Sequence, residues 1–248
     1  MEIDLSGRVV AITGASSGIG EATAIACVQA GAAVALAARR GDRIDALAAR
    51  INDEGGTAVA VPTDVGDERQ ARAFVEQAYE RLGRLDALVN NAGVMLLGAV
   101  EGADTEQWRR MIDANLYGVL YCSHAALPVM RAQGGGHIVN VSSVAGRIAS
   151  AGSAVYNMTK WGVNGFSEGL RQEALHAGIR VTIVEPGAVS TELIGHNSDA
   201  IQTAAASRFA GVTPLTAEDV ANAIVYALEQ PEHVSINEIL VRPSRQER

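Results

Sequence analysis

Short apolar runs alternate along the chain with longer stretches in which apolar residues return every three or four positions. The runs Arg8–Thr13, Ala33–Ala38, Thr57–Val61, Leu85–Asn90, His137–Val141, Arg180–Glu185 and Ile236–Val241 are rich in Val, Ile, Leu and Ala at successive positions. Runs of this kind predict strands buried on both faces. The spacing between them predicts helices after the glycines near position 20 through Ala30, over Asp42–Ile51, 67–82, Thr105–Arg131 and Ala154–Ala177, and from Thr216 onward. Strands and helices in this alternation predict an α/β fold. The expected architecture is a Rossmann-type, doubly wound, seven-stranded parallel sheet with helices on both faces, forming one domain over 1–248. One connection is long. Residues 188–214 are rich in Ser, Ala, Thr and Gly, and a loop of that length predicts a lid over a substrate pocket or a disordered segment.

Composition narrows the classes. Of 248 residues 48% are hydrophobic and 19% charged, which excludes intrinsic disorder. The formal net charge of −8 does not suit a surface that gathers nucleic-acid phosphates. No run reaches the roughly 18 apolar residues of a membrane span, and Met1-Glu2-Ile3-Asp4 lacks the basic and apolar regions of a secretory leader. Cys27 and Cys122 form no CxxC pair and are expected as free, buried thiols. These features predict a cytoplasmic protein without nucleic-acid or membrane partners. Of the 20 basic residues, Lys160 is the single lysine.

Directly after the first strand comes Thr13-Gly14-Ala15-Ser16-Ser17-Gly18-Ile19-Gly20, then a helix. Gly14 suits a tight turn, Gly18 a close approach of backbone to ligand, and Gly20 close helix–strand packing. The helix N-terminus offers N–H groups and a positive dipole end to a pyrophosphate. The same residues match a G-x-S-x-G nucleophile elbow, but that motif follows a central strand and has an acid and a histidine downstream. A P-loop requires a Gly-Lys pair, and the one lysine follows Thr159. Dinucleotide binding is the reading that remains.

The second strand ends Ala37-Ala38-Arg39-Arg40. The carboxylate that would hold a ribose 2′-hydroxyl of NAD is missing there, and arginine offers paired donors for a 2′-phosphate. The expected cofactor is therefore NADP(H), with Asp64 and Val65, after the third strand, beside the adenine.

Tyr156 and Lys160 stand four residues apart, on one helical face and roughly 5–6 Å apart at Cβ. A free phenol titrates near about 10, and a neighbouring ammonium is expected to lower that value. Ser143 ends the fifth strand, at the sheet edge where open α/β folds bind ligands. Its hydroxyl could bond the carbonyl oxygen that Tyr156 protonates. Asn115 lies inside an apolar helix, a position that disfavours it locally. Either it caps a kink or its amide serves the site.

These residues resemble the short-chain dehydrogenase/reductase family over essentially the whole chain. The glycine turn, Asn90-Asn91-Ala92-Gly93, Asn115, Ser143, Tyr156-x-x-x-Lys160 and Pro186-Gly187 appear in the family's order. The arginine pair, Met95 to Gly98, Glu185 to Gly187 with Thr191 to Leu193, and Ile236 to Ile239 also resemble the clavaldehyde-type and NADP-dependent 3-hydroxy acid (serine-type) branches. The resemblance implies a catalytic tetrad. In it Tyr156 is acid/base, Ser143 orients the carbonyl, Lys160 binds the nicotinamide ribose and tunes Tyr156, and Asn115 holds a proton-relaying water. It also implies that Asn91, Ala92 and Gly93, together with Pro186, Gly187, Val189 and Thr191, contact the cofactor. The implied activity is NADP(H)-dependent interconversion of a small-molecule carbonyl and an alcohol. Relatives of this kind are homotetramers, or dimers, joined through the two long helices and the last helix and strand. A dinucleotide-sensing protein without catalysis, or a family member doing dehydration or epimerisation, is the alternative.

Other residues carry less. His124, His137, His176, His196 and His233 lack metal-ligand spacing. Trp161 is expected to pack, and Arg147 to be a solvated arginine unless it greets an acidic substrate at the pocket mouth. Met95, Leu96, Leu97 and Val144 suggest an apolar lining for a medium-sized carbonyl compound.

Overall fold

A computed structural model describes residues 4–247. The strands are β1 (Val9–Thr13), β2 (Ala33–Ala38), β3 (Ala58–Pro62), β4 (Ala87–Asn90), β5 (Gly136–Val141), β6 (Ile179–Pro186) and β7 (Glu238–Val241). The helices are α1 (Gly18–Gln29), α2 (Gly41–Asp53), α3 (Glu68–Leu82), α4 (Thr105–Ile112), α5 (Gly118–Ala132), α6 (Ala154–Ala174), α7 (Asp199–Arg208) and α8 (Ala217–Glu229). The strands form one sheet in the order β3-β2-β1-β4-β5-β6-β7, with every pairing parallel. The expectation on Met1 to Ile3 lies outside the described residues.

The apolar runs are continuous because neighbouring side chains enter different cores. In β1, Val10 and Ile12 join a cluster with Leu36, Ile44, Ile224 and Leu228, while Ala11 joins Phe74, Leu88, Met130 and Leu170 on the other face. β2 divides in the same way, Val34 and Leu36 against Ala35 and Ala37. This period-2 alternation between two covered faces makes the parallel sheet legible as uninterrupted hydrophobic sequence. Side chains set the helix starts: Asp67 accepts from the N–H groups of Arg69 and Gln70, and Thr216 and Asp219 close a reciprocal capping box.

Two expectations are corrected. The helix expected over Thr105–Arg131 is interrupted at Asp113–Tyr117 by one π-helical turn, where the Gly118 N–H bonds the Asp113 carbonyl. The segment 188–214 is largely structured: Val189 bridges Leu215 in parallel, a 3-10 turn covers Glu192–His196, and α7 follows. Among the described residues no helix is long and apolar enough to cross a membrane, and no group of His, Cys, Asp and Glu side chains could hold a metal ion. Cys27 and Cys122 are free and buried.

Candidate active site

The strand order turns back at β1, which lies between β2 and β4. Two connections leave in opposite directions there, and the gap between them opens a crevice at the strands' carboxyl ends. A cleft of about 1250 Å³ occupies that edge. Gly14, Ser16, Ser17, Gly18, Ile19, Arg39, Arg40, Asp64, Val65, Asn91, Ala92 and Gly93 line it, as do Ser143, Tyr156, Lys160, Pro186, Gly187, Val189 and Thr191. Gly20 and Asn115, also singled out from the sequence, do not.

At the first end of the cleft the glycine turn is stitched to the end of β4. The Thr13 hydroxyl accepts from the N–H groups of Asn91 and Ala92, both at 3.0 Å, and the Asn91 amide donates to the carbonyls of Thr13 and Gly14 at 3.0 and 3.3 Å. Gly14 has φ +68°, and a Cβ there would sit 2.8 Å from Ala92 Cα. Gly18 has φ +57°, and a Cβ would meet Thr191 at 3.1 Å. Side chains at either position would both strain the backbone and fill the cradle. Gly20 faces inward: a Cβ on it would strike the Gly14 carbonyl oxygen, so this glycine serves packing behind the cleft. Ser17 heads α1 without a side-chain cap bond. Its hydroxyl instead accepts from Arg40 at 2.7 Å. The turn, the uncapped helix start and the cleft's volume fit a dinucleotide.

Arg39 is exposed, and its side chain makes no hydrogen bond or ion pair among the described residues. Arg40 is folded over the turn: Nε and Nη2 donate to the Ser16 hydroxyl at 3.1 and 2.9 Å, and Nη1 to Glu192 at 2.7 Å. Asp64 is fixed by its backbone N–H to Gln70 and by accepting from the Gly66 N–H.

At the second end, Ser143 heads a short 3-10 turn, its Oγ accepting from the Ala145 N–H at 3.1 Å. Tyr156 and Lys160, from α6, are buried, at 7% and 6% exposure. The Lys160 ammonium donates to the Val141 carbonyl at 2.9 Å and lies 5.9 Å from the Tyr156 ring centroid. The expected lowering of the phenol is not what this arrangement gives. Burial pushes Tyr156 up to about 12, eased by a hydrogen bond with Ser143, and burial brings Lys160 down to about 8. Desolvation penalises the charged form of both groups, and the ammonium is turned to a carbonyl instead of the phenol oxygen.

Asn115 sits in the π turn, fully enclosed, one layer behind the cleft. Its amide accepts from Val94 N–H at 2.8 Å and donates to the Val94 carbonyl at 2.9 Å and to Thr159 at 3.1 Å. It thereby ties the segment after β4 to α6 between Tyr156 and Lys160. The helix is bulged at this residue, and the amide bonds two neighbouring segments from behind the cleft.

Arg147 does not face a ligand. It pairs with the fully buried Glu185 at 2.5 Å and with Glu238, while Asn164 donates to the other Glu185 oxygen at 2.8 Å. Leu96 turns away from the cleft into a cluster with Met111, whereas Met95, Leu97 and Val144 line it. Trp161 is 53% exposed, not packed, because it lies on the outer face of α6. His137 is buried far from the cleft's chemistry, bonded to Thr182 at 2.7 Å.

Several residues that line the cleft or hold its covering segment give no signal in the sequence. Asn197 pins the covering segment across the cleft, accepting from Leu97 N–H at 2.7 Å and donating to the Met95 carbonyl at 2.9 Å. Gln246 accepts from Ala188 N–H at 2.8 Å and closes the floor near Gly187. Glu192, Arg110 and Asp113 also reach the cleft. His196, without metal-ligand spacing in the sequence, is exposed and lines it.

The short chain dehydrogenase family matches the chain over residues 8–202. An uncharacterized oxidoreductase of Staphylococcus saprophyticus is 44% identical over 242 residues, 96% of this chain and 97% of that protein. Glycine betaine reductase ATRR of Emericella nidulans is 43% identical over 239 residues, covering 96% of this chain but only 19% of that longer protein. Among solved structures, the closed form of a serine dehydrogenase complexed with NADP+ superposes with a TM-score of 0.89 at 33% identity, covering 97% of both chains.

Proposed function

The chain is an oxidoreductase of the short-chain dehydrogenase family, and from that premise we propose that it interconverts a small-molecule carbonyl and an alcohol with NADP(H). The observation that carries the reading is the convergence of Ser143, Tyr156 and Lys160 on one enclosed end of a cleft whose other end is a glycine cradle flanked by Arg39 and Arg40. The NADP+-bound relative supports the choice of cofactor, and so does the missing carboxylate at the end of β2.

In this reading Gly14, Ser16, Ser17, Gly18 and Ile19 cradle the pyrophosphate, with Gly20 packing beneath them. Arg39 and Arg40 receive the 2′-phosphate, and Asp64 and Val65 flank the adenine. Asn91, Ala92, Gly93, Pro186, Gly187, Val189 and Thr191 hold the remainder. The bound nicotinamide supplies or accepts hydride at the substrate carbon. Ser143 holds the carbonyl oxygen by hydrogen bond. Tyr156, with its phenol held protonated by burial, delivers the proton to that oxygen in reduction and receives it in oxidation. Lys160 binds the ribose beside it. Asn115 braces Val94 and Thr159 and keeps open a place for a relaying water. Met95, Leu97, Val144, Ile194 and Phe209 on the substrate side suit a medium-sized, moderately apolar carbonyl compound.

We place the protein as one domain and as a homotetramer or dimer. Exposed Tyr117, Leu120, Met158 and Trp161 mark the face of α5 and α6, and Tyr226 and Leu240 that of α8 and β7. The test of the catalytic assignment is Tyr156→Phe, assayed for turnover against a panel of aldehydes, ketones and keto acids and for NADPH binding. The expected variant binds the cofactor and does not turn over; a variant that retained turnover would remove Tyr156 from the mechanism.

A further inference from the structure

Arg40 is one of the two arginines that the proposed function gives to the 2′-phosphate, and most of its donors are already engaged. An arginine has five N–H donors. Here Nε gives its one to Ser16, Nη2 gives two, to Ser16 and Ser17, and Nη1 gives one to Glu192. Glu192 stands at the start of the 3-10 turn in the covering segment, 152 positions away in sequence. Its second oxygen accepts from Arg43 at 2.9 Å. One carboxylate thus spans two arginines beside the phosphate turn, at the place where an anionic ligand group would be received.

We propose that Glu192 is a built-in competitor of the cofactor's 2′-phosphate, holding Arg40 in the cofactor-free protein and selectively weakening NADP(H) relative to NAD(H). The inference rests on the assignment of Arg40 to the 2′-phosphate. Two physical routes lead to the same sign. If the phosphate takes the Nη1 donor that Glu192 holds, that bond must be broken first. If Glu192 stays, a carboxylate remains beside a dianion, and like charges at hydrogen-bonding range repel. A 2′-hydroxyl needs neither the donors nor the space, so NAD(H) is spared both effects. Glu192 is anionic throughout the working range, because Arg40 first and Arg43 second hold its carboxyl down at about 2. The pair is half open to solvent, 40% and 49% exposed, so its effect is graded and screened.

The release also reaches the covering segment. Glu192 follows Thr191, which lies against Gly18, and the same turn runs on to Asn197, which pins the segment to Met95 and Leu97. Loss of the Arg40 contact leaves that turn held by Arg43 through the other Glu192 oxygen and by Asn197 at its far end.

The experiment is fluorescence titration of NADPH and NADH against the wild type, Glu192→Gln and Arg40→Ala. Glu192→Gln keeps the shape and removes the charge, and melting temperatures check that each variant is folded. The expected result is NADPH binding roughly three- to tenfold tighter in Glu192→Gln, with NADH unchanged within about twofold. Unchanged or weaker NADPH binding in that variant, with the wild type preferring NADPH and Arg40→Ala abolishing the preference, would overturn the competitor role and leave the cofactor assignment standing. A wild type without preference, indifferent to Arg40→Ala, would overturn the cofactor assignment and the competitor role with it.

Discussion

At the glycine-turn end of the cleft, Arg39, Arg40, Arg43 and Glu192 stand at element ends with their charges in partial contact with water. At the Tyr156 end the ionisable groups are enclosed, and Tyr156 and Lys160 are each less than a tenth exposed. The same cleft therefore uses two electrostatic regimes. Solvent screens the first, and each interaction there changes affinity by degrees. Burial governs the second, moving both groups toward their neutral forms against what their spacing suggests. Under the proposed function, selection of the cofactor is tuned at the open end without disturbing the proton chemistry at the closed one.

The comparison can be broken at four points. Tyr156→Phe carries the largest effect: turnover is expected to fall by about a thousandfold or more, with NADPH affinity held within about twofold. A parallel loss of affinity would mean that the two ends are not separable. Next comes the Arg39→Ala, Arg40→Ala double variant. Its NADPH affinity is expected to drop roughly ten- to a hundredfold while NADH affinity barely moves, as titration of both cofactors would read. Equal losses would show that these arginines do not read the 2′-phosphate.

The pH dependence is a smaller and sharper test. Lys160, lowered to about 8, carries its charge below that pH and loses it above. Tyr156, raised to about 12, keeps its proton throughout. Carbonyl reduction needs both the ammonium and the phenol proton, so its kcat/KM is expected to be level near neutrality and to decline above about pH 8. Alcohol oxidation needs the phenolate and is expected to rise with pH. Profiles measured in both directions would contradict the account if they ran parallel. Smallest of the four is the several-fold change in NADPH affinity for Glu192→Gln, which belongs wholly to the screened end.

The legibility of the chain follows the same division. Strand positions were readable within a residue or two, because burial on both faces leaves uninterrupted apolar runs such as Val9 to Ile12 and Val34 to Ala38. The starts of β4 and of the edge strand β7 lie two residues inside the runs that predict them, at Ala87 and Glu238, and in β7 the burial alternates. Ser143, Tyr156, Lys160 and the glycine turn were legible because each sits at a fixed offset from a strand end or along one helix. Asn197, Gln246 and Glu192 were not. Their partners lie from 58 to 152 positions away, and no local pattern marks them. The π turn at Asn115 was visible only as a misplaced polar residue. Nor can spacing weigh desolvation against the charge of Lys160, so it predicts a lowered phenol where burial raises Tyr156.

The most direct measurement of the central claim is to supply NADPH deuterated at the transferable nicotinamide position with a carbonyl substrate and locate the label. Deuterium on the product's carbinol carbon, in one configuration and absent with Tyr156→Phe, is the result this account predicts. Label retained on the cofactor while the substrate is converted, or substrate converted with no cofactor oxidised, would contradict hydride transfer and leave dehydration, epimerisation or dinucleotide sensing as the chemistry of the cleft.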